Sequence, residues 1–380
     1  MIQESNKAPE SQRPPRVLLL SAYDALSHRR WRESLVAMLP ECDWQVLTLP
    51  PRHFSWRVRG NALSWAFGAE RAVLEQGYDL VIATSMCDLA GLRAFLPALA
   101  RVPALVYVHE NQFDYPQQQA RQKRVEPAMM SLTTLAAADQ IVFNSAYNRG
   151  SFLHGARRLL RFMPDRRPLA LIDQIEQRSC VMPVILPNDC FVQRNAQPGA
   201  LRVIWNHRWE YDKAPDRLLN ALRLLRQRRV EIRLALIGQQ FRQVPQAIEQ
   251  IQTEFRDWLW VDGPVAGDQA YRQVLAQGDV AVSTALHDFQ GLAVLEAMAA
   301  GCLACVPDRL AYPEFVPKAQ LYAGDTESAP RDAEALAVTL QLRATEKARG
   351  QLPDPTPPEW LAAAAWRPAW QQVVSRLTSL

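Results

Sequence analysis

The chain has 380 residues, 48% of them hydrophobic and 22% charged, with a formal net charge of +4. This is an ordinary globular mixture: it excludes a disordered chain, and the length predicts two domains rather than a single core. A mildly basic balance does not by itself specify a nucleic acid, so the placement of the arginines matters more than their number.

Residues 1–15 are polar and proline-containing, lack the apolar centre of a signal peptide, and read as a disordered tail. No apolar run is long enough to span a membrane. Six scattered cysteines fit reduced thiols, so the expected location is the cytoplasm, with no membrane partner. RVLLLSAY (16–23), WQVLTLP (44–50), DLVIATS (79–85), PALVYVHE (103–110) and QIVFNS (140–145) read as strands. Amphipathic segments such as 28–39 and 127–138 separate them, an alternation that predicts a parallel sheet covered on both faces. The first domain is expected over 16–187. The polar stretch 188–200 has no apolar period and reads as a linker. Alternation then restarts with 201–208, 233–240, 258–265, 279–286 and 302–308, giving a second domain over 201–355. A proline-rich break precedes a last Trp- and Ala-rich helix within 356–380, expected to pack back on the first domain. The predicted class is α/β: two tandem Rossmann-like, doubly wound domains facing a cleft, with ligands at the carboxyl ends of the strands.

One stretch concentrates chemistry at such an end. HDFQGLAVLEAMAAG (287–301) follows a strand, so Gly291 falls at a strand-to-helix turn and the helix begins near Leu292. A helix N-terminus offers free N–H groups and partial positive charge to an anion, and glycine lets a phosphate approach the backbone. Glu296 lies inside an otherwise apolar helix, where its carboxylate can accept from two neighbouring hydroxyls such as those of a ribose. Asp288 precedes the glycine. NHRWEYDKAPDRL (206–218) places Arg208 and Lys213 after another strand of the same domain, where two cations can neutralise a diphosphate. In the first domain, YVHENQFDYP (107–116) carries His109, Glu110, Asn111 and Gln112 at a strand end. A histidine there can bond sugar hydroxyls, and Asn111 and Gln112 stand where an acceptor is expected. His28, after the first strand, can begin a helix facing the cleft.

An acid, seven residues and a Glu, with a glycine between, resembles the pattern of retaining GT-B glycosyltransferases, in particular the family-4 group. The resemblance implies that Glu296 holds the nucleotide ribose and that the N–H groups near Gly291 and Leu292 hold the diphosphate. It also implies that Arg208 and Lys213 clamp the leaving group and that Asp288 and His109 orient the donor sugar. The family's first acid is usually Glu; Asp288 is one methylene shorter. The runs 48–67, 107–116, FNSAYNRGSFL (143–153), ILPNDC (185–190), NHRWEYDK and CVPDRLAYPE (305–314) occur in the order seen in the tRNA-queuosine α-mannosyltransferase family, which the chain resembles from about Val17 to Glu314. That resemblance implies a GDP-mannose donor, a queuosine acceptor at the tRNA(Asp) wobble position, and no metal or other cofactor.

Residues 52–65 suit an RNA acceptor. Arg52, Arg57 and Arg59 alternate with His53, Phe54, Trp56 and Trp65, so guanidiniums can reach phosphates and rings can stack on unpaired bases. The run 156–167 adds five arginines that read equally as a solvated helix face. Cys302 and Cys305 lack the second ligand pair of a zinc site and read as buried thiols. Two alternatives stay open: a transferase of the same fold acting on a lipid or polysaccharide precursor, and a non-catalytic tRNA-binding relative.

Overall fold

The computed structural model describes residues 13–113, 125–240 and 243–379. Two six-stranded sheets form the two halves. The first contains β1 (Arg16–Ser21), β2 (Asp43–Thr48), β3 (Leu80–Thr84), β4 (Ala104–Val108), β5 (Gln140–Phe143) and β6 (Ser179–Val181), in the order 2-1-3-4-5-6. The second contains β7 (Leu201–Asn206), β8 (Ile232–Ile237), β9 (Leu259–Asp262), β10 (Val280–Val282), β11 (Leu303–Pro307) and β12 (Leu321–Tyr322), in the order 12-11-10-7-8-9. Every described pairing is parallel. Helices cover both faces of such sheets, so β3 and β4 are apolar and buried at nearly every position rather than alternating. Strands β6 and β12 are absent from the sequence reading, because three and two residues carry no legible period.

Strand order reverses between β1 and β3 in one sheet and between β7 and β10 in the other. Crevices open at the carboxyl ends of strands at such reversals, which puts the loops after β7 and β10 beside each other. Of the polar tail, only residues 13–15 are described, and Arg13 grips Asp79 with two bonds of 2.8 Å. The stretch from 188 begins as a 3-10 turn, Asn188–Cys190, and then runs along the second domain, where Arg194 pairs with Asp279 at 2.8 Å. The last helix, Ala363–Thr378, lies on the first domain. Its Trp370 packs beside Trp31 and Tyr107 in one apolar cluster.

Candidate active site

The second-domain edge of the cleft is built by the loops that follow its strands. After β10 the chain turns at Gly291, with φ of +78°, and enters the helix Leu292–Ala299. Glycine is required twice over here: the backbone is left-handed, and a Cβ would stand 2.6 Å from Cε1 of Tyr312. Asp288 closes the turn, its Oδ1 accepting the N–H of Gly291 at 2.8 Å. A carboxylate on a short stem reaches the N–H three residues on. The expected anion seat is therefore corrected by one position: the Gly291 N–H is taken, and Leu292 is the first N–H at the turn with no partner among the described residues. The other Asp288 oxygen lies 3.3 Å from Nζ of Lys213 and 3.4 Å from the Tyr312 hydroxyl.

Lys213 ends a 3-10 turn, Tyr211–Lys213, and is buried. Its ammonium donates to the His287 carbonyl at 2.6 Å and sits 3.3 Å from Asp212. Arg208, half-exposed, lies 3.1 Å from Glu210. Burial would raise the Asp288 carboxyl, but Lys213, His207 and the Gly291 N–H hold it at about 2, so it stays charged. Burial, reinforced by Lys213, lowers His207 and His287 to about 4 and keeps both neutral. Cys302 and Cys305 are buried and pushed up to about 12 by burial.

Glu296 faces the first domain. Asn206, at the end of β7, donates to the Tyr271 hydroxyl at 2.9 Å, and that hydroxyl donates to Glu296 at 2.9 Å. Arg30, on the first-domain helix Leu26–Met38, pairs with the other carboxylate oxygen across the cleft. Burial raises the Glu296 carboxyl, opposed by Arg30 and Tyr271. A cavity of about 300 Å³ adjoins this group, lined by Arg30, Glu33, Asp189, Tyr271, Arg272 and Glu296 among others. A second bridge is made by Gln290, whose buried amide accepts from Val184 N–H and donates to Val184 C=O, both at 2.9 Å. The Gly291 turn is thereby zipped to the backbone of the first domain.

The first-domain edge differs from its expectation. His28 and His109 are buried and stacked, ring centroids 4.1 Å apart, with Trp31 and Tyr107 edge-on to His109. Burial lowers both imidazoles, His109 well below its ordinary value, so both are neutral. His28 Nδ1 and His109 Nε2 have no hydrogen-bond partner among the described residues. Asn111 does not reach outward. It is buried and donates to Asn148 Oδ1 at 2.8 Å and Ser151 Oγ at 3.0 Å, while its own oxygen accepts the Phe113 N–H. Its amide bonds shape the loop, so a direct acceptor contact is corrected to a scaffolding one. Gln112 is partly exposed, and the last three residues of that run, 114–116, lie outside the described residues.

The arginine–aromatic stretch forms the helix Phe54–Ala66. Trp56 is 54% exposed and Phe54 40%, with Phe54 edge-on to Tyr23 at 5.6 Å. Arg52 is exposed, Arg57 donates to the Pro50 carbonyl at 3.3 Å, and Arg59 pairs with Glu126. Trp65 is fully buried, because the helical period turns it inward with Val58 and Ala62. It belongs to the core and not to a stacking surface. Arg30, Tyr271, Gln290 and Tyr312 escaped the sequence reading altogether. Only Gln290 carried a signal, as a polar residue at a position the glycine turn buries.

The family described as tRNA-queuosine alpha-mannosyltransferase N-terminal matches residues 16–186, and Glycosyl transferases group 1 matches 201–342. The Drosophila melanogaster tRNA-queuosine alpha-mannosyltransferase is 31% identical over 318 residues, covering 81% of this chain and 83% of its own. Sucrose-phosphate synthase from Thermosynechococcus elongatus superposes with a TM-score of 0.67 at 15% identity over 96% of each chain. Anabaena HepE in complex with UDP gives 0.60 at 13% identity, over 96% of this chain and 100% of that one. At these identities the solved structures share the fold, which is GT-B. No described helix is long and apolar enough to cross a membrane.

Proposed function

The chain belongs to the tRNA-queuosine alpha-mannosyltransferase family of GT-B glycosyltransferases, and we propose that it moves mannose from GDP-mannose to the cyclopentenediol of queuosine at the wobble position of tRNA(Asp), with retention. One observation carries the reading. Arg208, Lys213, Asp288, the Gly291 turn and Glu296 gather at one sheet edge, across a cleft from two neutral imidazoles and a helix bearing exposed rings and arginines.

In this reading the diphosphate lies over the helix N-terminus at Leu292, with Arg208 and Lys213 spreading its charge. That fixed electrostatic support is the largest contribution, because negative charge grows on the diphosphate as the sugar leaves. Glu296 accepts the two ribose hydroxyls and exchanges Arg30 for them. Asp288, ionised at all ordinary pH, accepts from a mannose hydroxyl. His28 and His109 offer neutral ring nitrogens to hydroxyls at the first-domain edge. The acceptor oxygen attacks from the face that the diphosphate leaves. The anomeric carbon–phosphate oxygen bond breaks as the new glycosidic bond forms, and a phosphate oxygen takes the acceptor's proton. No carboxylate need serve as base, unlike in glycosidases. Closing the domains excludes water that would otherwise hydrolyse the donor.

The test incubates the protein with tRNA containing queuosine and either GDP-mannose or UDP-glucose, then analyses nuclease-released nucleosides by mass spectrometry. A hexose gain on queuosine with GDP-mannose alone is expected. Equal transfer from UDP-glucose overturns the donor, and transfer to a lipid or polysaccharide precursor instead overturns the acceptor.

A further inference from the structure

The helix Ala146–Arg161 starts at the cleft, where the carboxylate of Glu314 accepts the N–H groups of Ala146 and Tyr147 at 2.7 and 2.6 Å. It contains two glycines, Gly150 and Gly155, each of which weakens a helix relative to alanine. Packing explains Gly155, since a Cβ there would stand 2.4 Å from Cβ of Phe113. Packing among the described residues does not explain Gly150. Among the described residues, nothing lies within 4 Å of the place its Cβ would occupy.

Gly150 lies on one helical stripe with Tyr147, Ser151, His154, Gly155 and Arg158, at the three- and four-residue spacing of a single face. Together with Phe113 this stripe lines a groove of about 360 Å³. The opposite face, with Phe152, Ala156 and Leu160, is buried in the core. The groove is aromatic at one end and basic at the other. Tyr147 stands near the cleft, its ring 6.2 Å from that of Phe289, next to Asp288, and Phe113 stands further along the groove, against Gly155. Ser151 is tied to the loop after β4 through Asn111. At the outer end Arg158 and Arg161 are exposed and form no ion pair among the described residues, whereas Arg157 is held by Asp173 and Glu176 at 2.8 and 2.9 Å.

We propose that this groove is a nucleotide subsite for the RNA acceptor: a base beside the modified nucleotide lies over Gly150, between Tyr147 and Phe113, with its phosphate at Arg158. The inference rests on the RNA-acceptor reading above. Unpaired loop bases are recognised by stacking on side-chain rings, and guanidiniums hold the phosphates between them. A planar base can descend onto a helix only where a side chain is missing, which is what Gly150 provides. The groove leads away from the donor edge, so it takes a neighbour of the reacting nucleotide.

Gly150→Leu tests this, because filling the groove and improving the helix act in opposite directions. Binding of a fluorescent anticodon stem-loop is measured by anisotropy, beside thermal melting and GDP titration. The expected result is unchanged or higher Tm, unchanged GDP affinity, and stem-loop affinity about ten-fold weaker, the scale of one lost stacked base. Arg158→Gln, which leaves the helix backbone alone, should weaken binding less and flatten its salt dependence. Wild-type stem-loop affinity in Gly150→Leu overturns the subsite. If the unaltered protein binds no stem-loop, the subsite and the RNA acceptor fall together. If it binds RNA through the groove but transfers no mannose, only the transfer reading falls.

Discussion

The two edges of the cleft are prepared to different degrees. On the second-domain edge every charged group is already held: Lys213 by Asp288, Asp212 and a carbonyl, Asp288 by the Gly291 N–H, and Glu296 by Tyr271 and Arg30. On the first-domain edge Asn111 is packed scaffolding and His28 and His109 are buried, each with one ring nitrogen unpartnered among the described residues, while Trp56, Phe54 and Arg52 stand in solvent. A small anionic donor gains from a fixed, desolvated set of charges, because reorganisation is avoided at the moment of reaction. A macromolecular acceptor gains from breadth, and it brings its own order to exposed side chains. The difference teaches that substitutions of buried charges on one edge should change chemistry and stability together, while substitutions of the exposed side chains on the other should change affinity alone.

The largest effect should come from the clamp. Lys213→Ala and Arg208→Ala should each lower kcat by about 10²–10³, the loss typical of one transition-state donor. They should part in stability. Lys213 is buried between two carboxylates, so its removal strands them and lowers Tm, whereas Arg208 is half-exposed and its removal leaves Tm unchanged. Turnover of wild-type magnitude in Arg208→Ala rules out the clamp. A fall in Tm for both variants erases the distinction between a working charge and a structural one.

Acid should act on the prepared edge next. His207 and His287 sit at about 4 in the folded chain, against about 6.5 for an exposed imidazole. Below pH 6.5 the unfolded chain takes up protons that the folded chain refuses until about pH 4. The stability that neutral burial supports is therefore whole above 6.5 and drains away as pH falls from 6.5 to 4, by roughly 3 kcal/mol for each imidazole. Urea melts across that range should show the slope, and His207→Gln should reduce it. A flat profile means that the histidines are charged in the folded state.

The donor edge was largely legible in the sequence, and the acceptor edge was not. Parallel strands are apolar on both faces, so β1, β3, β4 and β7 announce themselves, and a glycine after such a strand marks a turn whose backbone faces the cleft. Exposure is harder to read, since it depends on the phase of a helix and on what packs against it. Trp65 looked like a stacking ring beside Arg57 and Arg59, yet it lies seven residues from Val58 on the buried face. Asn111 looked like a binding residue, yet its amide is spent on Asn148 and Ser151. Arg30 was invisible as the partner of Glu296, because nothing local ties residues 266 positions apart.

Gln290 joins the two edges and should show an intermediate effect. Gln290→Leu strands the buried N–H and C=O of Val184, at about 1–3 kcal/mol for a buried polar group left unmet. If the bridge positions the phosphate turn against the first domain, transfer should fall further than GDP affinity does. Equal losses in both would make Gln290 a local support of the turn. On the exposed edge, Arg52, Arg57 and Arg59 changed together to Ala should weaken tRNA binding, flatten its salt slope and leave Tm in place. Trp56→Ala should cost about 1–3 kcal/mol of tRNA affinity if a base stacks on it. Normal tRNA binding in the triple variant at every salt concentration would make this helix a structural flap.

The smallest expected effect has the most informative sign. Arg30 pairs with Glu296 across the cleft, so a ribose reaching that carboxylate must displace it. Removing the guanidinium removes a competitor. It also leaves a buried carboxylate whose proton affinity burial already raises and Arg30 opposes. Arg30→Gln should therefore bind GDP as tightly as wild type or up to a few-fold more tightly at pH 8, within about 1 kcal/mol. The advantage should fade as pH falls and Glu296 protonates, at a higher pH than in wild type. Calorimetry at two pH values reads both effects. Weaker GDP binding at pH 8 would mean that Arg30 touches the nucleotide itself, so that the prepared edge extends into the first domain and the contrast between the two sides of the cleft narrows.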